Sequence, residues 1–354
     1  MATPLPVLTS PSQCADFTKT VSPFISQLWD LPQRLREAGF DASELKQLYL
    51  ATNPLITAVA VSLLLAPMYL VLSELTRNYS QVDRSWSILP TLYNAHFVAF
   101  AHMAGLPTER LDTLLAFSGI WSARLTYNYW RKGGYTYGSE DYRWEVLRQY
   151  INPALFFIFD VLFISLAQNL LLVSITFPTY VILLVSKSAG DQSTMADVVF
   201  SRILVGLVLV EWFADQQQWN FQQAKKEYQS SGKVAPKYQV EDLQRGFVVS
   251  GLWSWSRHPN FAAEQAIWAV LYQWSCYLTN SLFQWTAIGA VAYLFLFQAS
   301  TWFTELITAR KYPEYVEYRK RVGKFLPKLG TDPSDDARRQ TRPPVGQDKK
   351  PKEQ

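Results

Sequence analysis

The feature that most constrains this chain is a set of long stretches without a charged side chain. Forty consecutive residues between Glu264 and Glu305 lack Asp, Glu, Lys and Arg, as do 27 between Lys46 and Glu74. The interval between Arg84 and Glu109 holds 24 such residues, and the 38 between Arg148 and Lys187 are broken only by Asp160. A helix that crosses a bilayer needs roughly 20 predominantly apolar residues. The longest run accommodates two spans with a turn at Thr279-Asn280-Ser281, so the four intervals predict five membrane helices. Leu111–Trp130 and Val198–Trp219 add two weaker ones. The first contains Asp112 and Arg124, the second Arg202, Glu211 and Asp215. Charges inside a span face protein or the interface, because hydrocarbon does not solvate them; the alternative for both segments is a helix lying in the interface. The expected fold class is all-α, a polytopic membrane helix bundle of about seven transmembrane helices.

A mean hydropathy near zero hides this segregation. Two distant cysteines, Cys14 and Cys276, exclude a disulfide scaffold. A net charge of +4 with no basic stripe argues against a nucleic-acid partner. His96 and His102 are six apart, off a common helical face, and His258 is the one other histidine, so no metal site is expected. No nucleophile-elbow pattern supports a hydrolase.

With seven spans, the loops on one side carry twelve Lys and Arg residues, from Arg77 to Arg257, while the opposite loops carry Arg110, Lys187 and Arg202. Lysine and arginine accumulate on the cytosolic side, which predicts a cytosolic C-terminus. The opening Met1-Ala2-Thr3-Pro4 has neither a basic nor an early apolar region, so no cleaved signal is expected. The predicted organisation is a non-membrane N-terminal segment over 1–50, a membrane domain over 51–330 and a disordered cytosolic tail over 331–354. That tail carries 11 charged residues, with Ala337 and Val345 its two aliphatic ones. It ends Lys350-Pro351-Lys352-Glu353-Gln354, which resembles a dilysine retrieval address of the endoplasmic reticulum.

The densest polar segment is Ser250-Gly251-Leu252-Trp253-Ser254-Trp255-Ser256-Arg257-His258-Pro259-Asn260-Phe261-Ala262-Ala263-Glu264. Pro259 suits the first turn of a helix, where a missing N–H is no loss. The helix start beside Arg257 and His258 is a ready phosphate site, and Asn260 and Glu264 share a face at a spacing of four. A snorkelling interfacial cluster is the alternative. Glu211, Asp215, Gln218 and Gln222 form a second polar stripe, which on spacing alone suits either ligand contact or a water-facing side.

The run Ser256-Arg257-His258-Pro259-Asn260-Phe261-x-x-Glu264 resembles the cofactor motif of the steroid 5-alpha-reductase family, in particular an uncharacterised branch carrying the reductase-like C-terminal region. The likeness covers roughly Gln81 to Leu329. It includes Val82-Asp83-x-x-Trp86, Arg124-Leu125, Gly138-x-Glu140-Asp141-x-Arg143-Trp144, and the close Tyr315-x-x-Tyr318-Arg319-x-x-Val322-x-x-Phe325-Leu326-Pro327. It implies a seven-helix membrane enzyme that binds NADPH from the cytosolic side and reduces a carbon–carbon double bond in a sterol or other lipid-like substrate. Carried over by position, Arg257, His258, Asn260, Glu264 and Asp215 contact the cofactor, and Glu305 and Tyr315 close the site. Arg124, inside an apolar span, requires an anion: Glu140, Asp141 or a phosphate. Family enzymes polarise the substrate carbonyl with an acid and a tyrosine. Asp83 is the acid expected here. The family tyrosine position holds Trp121, which is no acid; Tyr127 and Tyr129 lie on the same helix, and Tyr127 is taken as the candidate although it is nearly two turns away.

A similar Arg-His-Pro-x-aromatic-x-x-Glu pattern occurs in the isoprenylcysteine and phospholipid methyltransferases, which use S-adenosylmethionine. The Gly-x-Glu-Asp-x-Arg-aromatic loop favours the reductase branch. A third reading, a non-catalytic membrane protein with a relic pocket, draws on Trp121. The expected partners are the lipid bilayer and a hydrophobic small molecule.

Overall fold

The computed structural model describes residues 4–190 and 192–328. The expected tail over 331–354, with its dilysine pattern, lies outside them. The described residues form helices joined by turns and short loops, without a strand.

Helices occur at every uncharged interval. Three are long and apolar enough to cross a membrane: Pro54–Thr76, Pro153–Ala189 and Ala287–Lys311. The first shows why. Asn53 caps it by accepting the Leu55 amide at 2.9 Å, and Pro54 occupies the first turn. Its outer face leaves Leu64, Met68, Val71 and Leu75 exposed, a surface that suits lipid rather than water. Leu89–Met103 is a different case. Its 15 residues rise only about 22 Å, against a hydrocarbon core of about 30 Å. Glu109–Arg131 and Met195–Ser231 carry internal charges. The expected turn after Leu278 is present, with Asn280 in the left-handed region at φ 51°.

The chain divides into two compact units. The first comprises Met1–Val208 and Gln265–Ala299. Its core gathers Phe97, Phe100, Leu114, Tyr180, Leu184 and Trp274. Trp121 belongs to this core. It is fully buried and edge-on to Trp268, ring centroids 5.1 Å apart. Pro178–Ser186 lies in the buried helix Phe177–Ala189, so Ile182–Ser186 makes no separate turn. A buried node of Arg110, Asp197 and Trp274 pins this unit elsewhere, with Arg110 Nε donating to Asp197 at 3.1 Å and Trp274 Nε1 at 2.8 Å.

The second unit comprises Leu209–Glu264 and Ser300–Gln354. One small core holds Phe221, Leu243, Val248 and Trp253. Another holds Phe247, Val249, Tyr315, Tyr318 and Val322.

Candidate functional site

The second unit assembles its site around one carboxylate. Glu305 is 2% exposed. Arg257 donates to it through Nε at 2.6 Å and Nη2 at 3.1 Å, the two-pronged geometry that suits a guanidinium. His258 Nε2 lies 2.9 Å from the same carboxylate, Tyr315 donates its hydroxyl at 3.3 Å, and Arg319 Nε approaches to 3.4 Å. A carboxylate offers about four lone-pair sites, so these donors occupy the acceptor capacity of Glu305. The remaining prong of Arg257 donates to the Arg319 carbonyl at 3.2 Å and to the Val322 carbonyl. Burial holds the His258 imidazole below its ordinary pKa, against the upward pull of Glu305. Burial, with Glu305 adding to it, pushes the Tyr315 hydroxyl up and keeps it a donor.

The backbone explains how these side chains meet. Ser256–His258 runs extended beside Gly323–Lys324, with the Arg257 amide on the Gly323 carbonyl at 2.9 Å and the His258 amide on the Lys324 carbonyl at 3.1 Å. Gly323 is required, because a β-carbon there would strike the Leu326 carbonyl. Upstream, Gly251 turns the chain at φ 68°, and Gln217 accepts the Leu252 amide at 2.9 Å. Pro259 then opens the Pro259–Leu278 helix.

One turn on, Asn260 Nδ2 donates to Asp215 at 3.0 Å, while its carbonyl accepts the Phe261 amide. Glu211 and Glu264, each one helical turn from this bond, are buried as well. Six of the residues assigned to the cofactor therefore form two groups within this unit: Arg257, His258, Glu305 and Tyr315 in one, Asn260 and Asp215 in the other. Arg319 was not among them, although its place four residues after Tyr315 puts it on the same helical face.

The first unit holds Asp83. Its carboxylate accepts the Trp144 indole N–H at 3.0 Å. Burial raises its pKa, and the Arg143 guanidinium opposes that rise. The Gly138–Trp144 loop is stitched to the Asp83 segment. The Asp141 amide donates to Ser80 at 2.9 Å, Asn78 and Arg84 both donate to the Ser139 carbonyl at 2.9 Å, and Glu140 accepts the Tyr79 amide at 2.9 Å. Glu140 also bonds Arg148, and Asp141 bonds Arg143 at 2.7 Å. Arg124 is buried in this unit. Tyr127 is 44% exposed, its ring below the Arg131 guanidinium. Tyr129 stands edge-on to Tyr135, ring centroids 5.0 Å apart, and Tyr135 donates its hydroxyl to the Arg84 carbonyl at 3.0 Å. Among the described residues, no group of three or more His, Cys, Asp or Glu could hold a metal ion.

A family profile described as a protein of unknown function, DUF1295, matches residues 69–322. The chain belongs to the DUF1295 family. The match encloses Asp83, Arg124, the Arg257–Glu264 segment, Glu305 and Tyr315. An uncharacterized protein of Schizosaccharomyces pombe is 37% identical over 337 residues, covering 93% of this chain and 94% of its own. The similarity to this relative spans both units. No solved structure matches the chain.

Proposed function

We propose that this DUF1295 protein is an integral-membrane, NADPH-dependent reductase of a carbon–carbon double bond in a hydrophobic, sterol or lipid-like substrate. Its bundle has about seven spans, its C-terminus is cytosolic, and its home is the endoplasmic reticulum. The observation that carries the reading is the gathering of motif residues in the second unit. Residues far apart in sequence, Arg257–His258 and Glu305–Tyr315, converge on one carboxylate. The surplus of Lys and Arg over Asp and Glu in this unit suits a polyanionic dinucleotide.

In this reading Asn260, Glu264 and Asp215 line the cofactor, and the Glu305 node fixes the backbone from Ser256 to Asn260 that presents them. NADPH, when bound, supplies a hydride to the electron-poor carbon. Burial holds the Asp83 carboxyl above its ordinary pKa, and in its protonated form it donates a hydrogen bond to the substrate carbonyl as the enolate develops. Trp144 holds that carboxyl in place. Tyr129 fits the tyrosine role better than Tyr127, because it packs against Tyr135, which bonds the segment that carries Asp83.

Equilibrium titration of the detergent-purified protein tests this. Saturable NADPH binding, with no binding of S-adenosylmethionine, is the expected outcome. The reverse pattern replaces the reductase with a methyltransferase, and binding of neither leaves a relic pocket.

A further inference from the structure

The second unit contains a cleft apart from the Glu305 node, lined by Phe221, Lys237, Tyr238, Asp242, Arg245 and Ser250. Phe221 stands edge-on to Tyr238, ring centroids 5.6 Å apart at 86°, and gives the cleft an apolar wall. Arg245 is held by Asp242 at 3.1 Å and faces Glu314 at 3.7 Å. Lys237 and the hydroxyls of Tyr238 and Ser250 make no hydrogen bond to any described residue. An aromatic wall, an uncommitted ammonium, a second cation and two uncommitted hydroxyls make a site for a flat ring that carries a phosphate. Val249, on the cleft wall, packs with Tyr315 and Tyr318 in one small core, and Tyr315 bonds Glu305. Val249 thus lies between the cleft and the small core that holds Tyr315.

We infer that this cleft binds the 2′-phosphorylated adenosine half of NADPH, with Lys237 the residue that selects the phosphorylated nucleotide over NADH. The identity of the ligand rests on the reductase reading; the cleft's preference for a phosphorylated adenosine does not. A 2′-phosphate beside a positive side chain is the usual basis of such selection. Lys237 is exposed and holds no other residue in place, so Lys237→Glu is expected to fold as the wild type does.

The test titrates wild-type and Lys237→Glu full-length protein in detergent with adenosine 2′,5′-bisphosphate, NADPH and NADH. Reversing that charge weakens the two 2′-phosphorylated ligands by roughly tenfold or more relative to NADH, whose ribose carries a 2′-hydroxyl instead. A matching melting temperature shows that the variant is folded. Unchanged NADPH and bisphosphate affinities in Lys237→Glu overturn the cleft assignment while the reductase reading stands. Bisphosphate binding that depends on Lys237, without NADPH binding, keeps the cleft and overturns the reductase. Binding of none of the three ligands overturns both.

Discussion

Glu305→Gln isolates the node on which the second unit depends. Glu305 holds Arg257 at 2.6 and 3.1 Å, His258 at 2.9 Å and Tyr315 at 3.3 Å. A glutamine of the same shape keeps one acceptor oxygen. It also turns an NH₂ group toward side chains that are themselves donors, and it leaves the buried Arg257 charge without its counter-ion. Breaking one partner of a buried ion pair costs about 3–5 kcal/mol, mostly because the surviving charge stays desolvated. Arg257→Ala has the mirror-image effect, stranding the carboxylate. The Arg257→Ala/Glu305→Gln double variant removes both charges, so it should lose clearly less than the sum of the single variants. The assay is thermal unfolding in detergent, with wild type, both single variants and the double variant measured together. A Glu305→Gln protein within about 0.5 kcal/mol of wild type, the range of an ordinary surface change, would refute the node as a stabilising element. Strictly additive losses would refute the pairing.

Outcomes at four other residues follow from the geometry. Asp83→Asn should bind NADPH normally and lose most turnover; normal turnover ends its assignment as the acid. The same variant bears on pH. The raised Asp83 pKa means the folded state holds a proton that the unfolded chain releases, so the Asp83 contribution to stability falls as pH rises above about 4. Asp83→Asn should flatten that part of the stability–pH curve, and an unaltered slope contradicts the shift. His258 works in the opposite sense: its lowered pKa makes stability drop as pH falls below about 6.5, and His258→Gln should remove that drop. Gly251→Ala should cost about 1–3 kcal/mol, because Gly251 sits at φ 68° and a β-carbon would meet Gln217 Oε1 at 2.6 Å; wild-type stability would show that the loop adjusts freely. Finally, Asn78 should carry no glycan, since its amide already bonds the Ser139 carbonyl and the residue is buried; a glycosidase-sensitive mass shift abolished by Asn78→Gln would count against both its burial and its cytosolic placement.

Much of the architecture was legible because its signal is local. An uncharged run is visible without knowing what packs against it, and helices occupy each such interval. Span number was less legible. The Arg84–Glu109 interval is long enough to cross, yet Leu89–Met103 uses only 15 residues of it as continuous helix before the turn at Ala104-Gly105. The site divides similarly. That Arg257, His258, Glu305 and Tyr315 are candidates for one site was readable from residue type and order. That the first two bond the third was not, because the pairing joins residues 48 and 47 apart and depends on tertiary packing. Tyr127 and Tyr129 illustrate how little separates the two sides of a helix. A shift of two residues rotates a side chain by about 200°, enough to move from an exposed ring beside Arg131 to one packed against Tyr135.

The most direct test of the reductase is isotopic. The purified protein, reconstituted with total membrane lipid extract, is supplied with NADPH carrying deuterium at the transferable position of the nicotinamide, and the lipids are analysed by mass spectrometry. The account expects a hydrophobic product heavier than its precursor by one deuterium and one proton, absent without protein and strongly reduced with Asp83→Asn. Lipids free of deuterium in the presence of bound NADPH, or a methyl group gained from labelled S-adenosylmethionine instead, would contradict it.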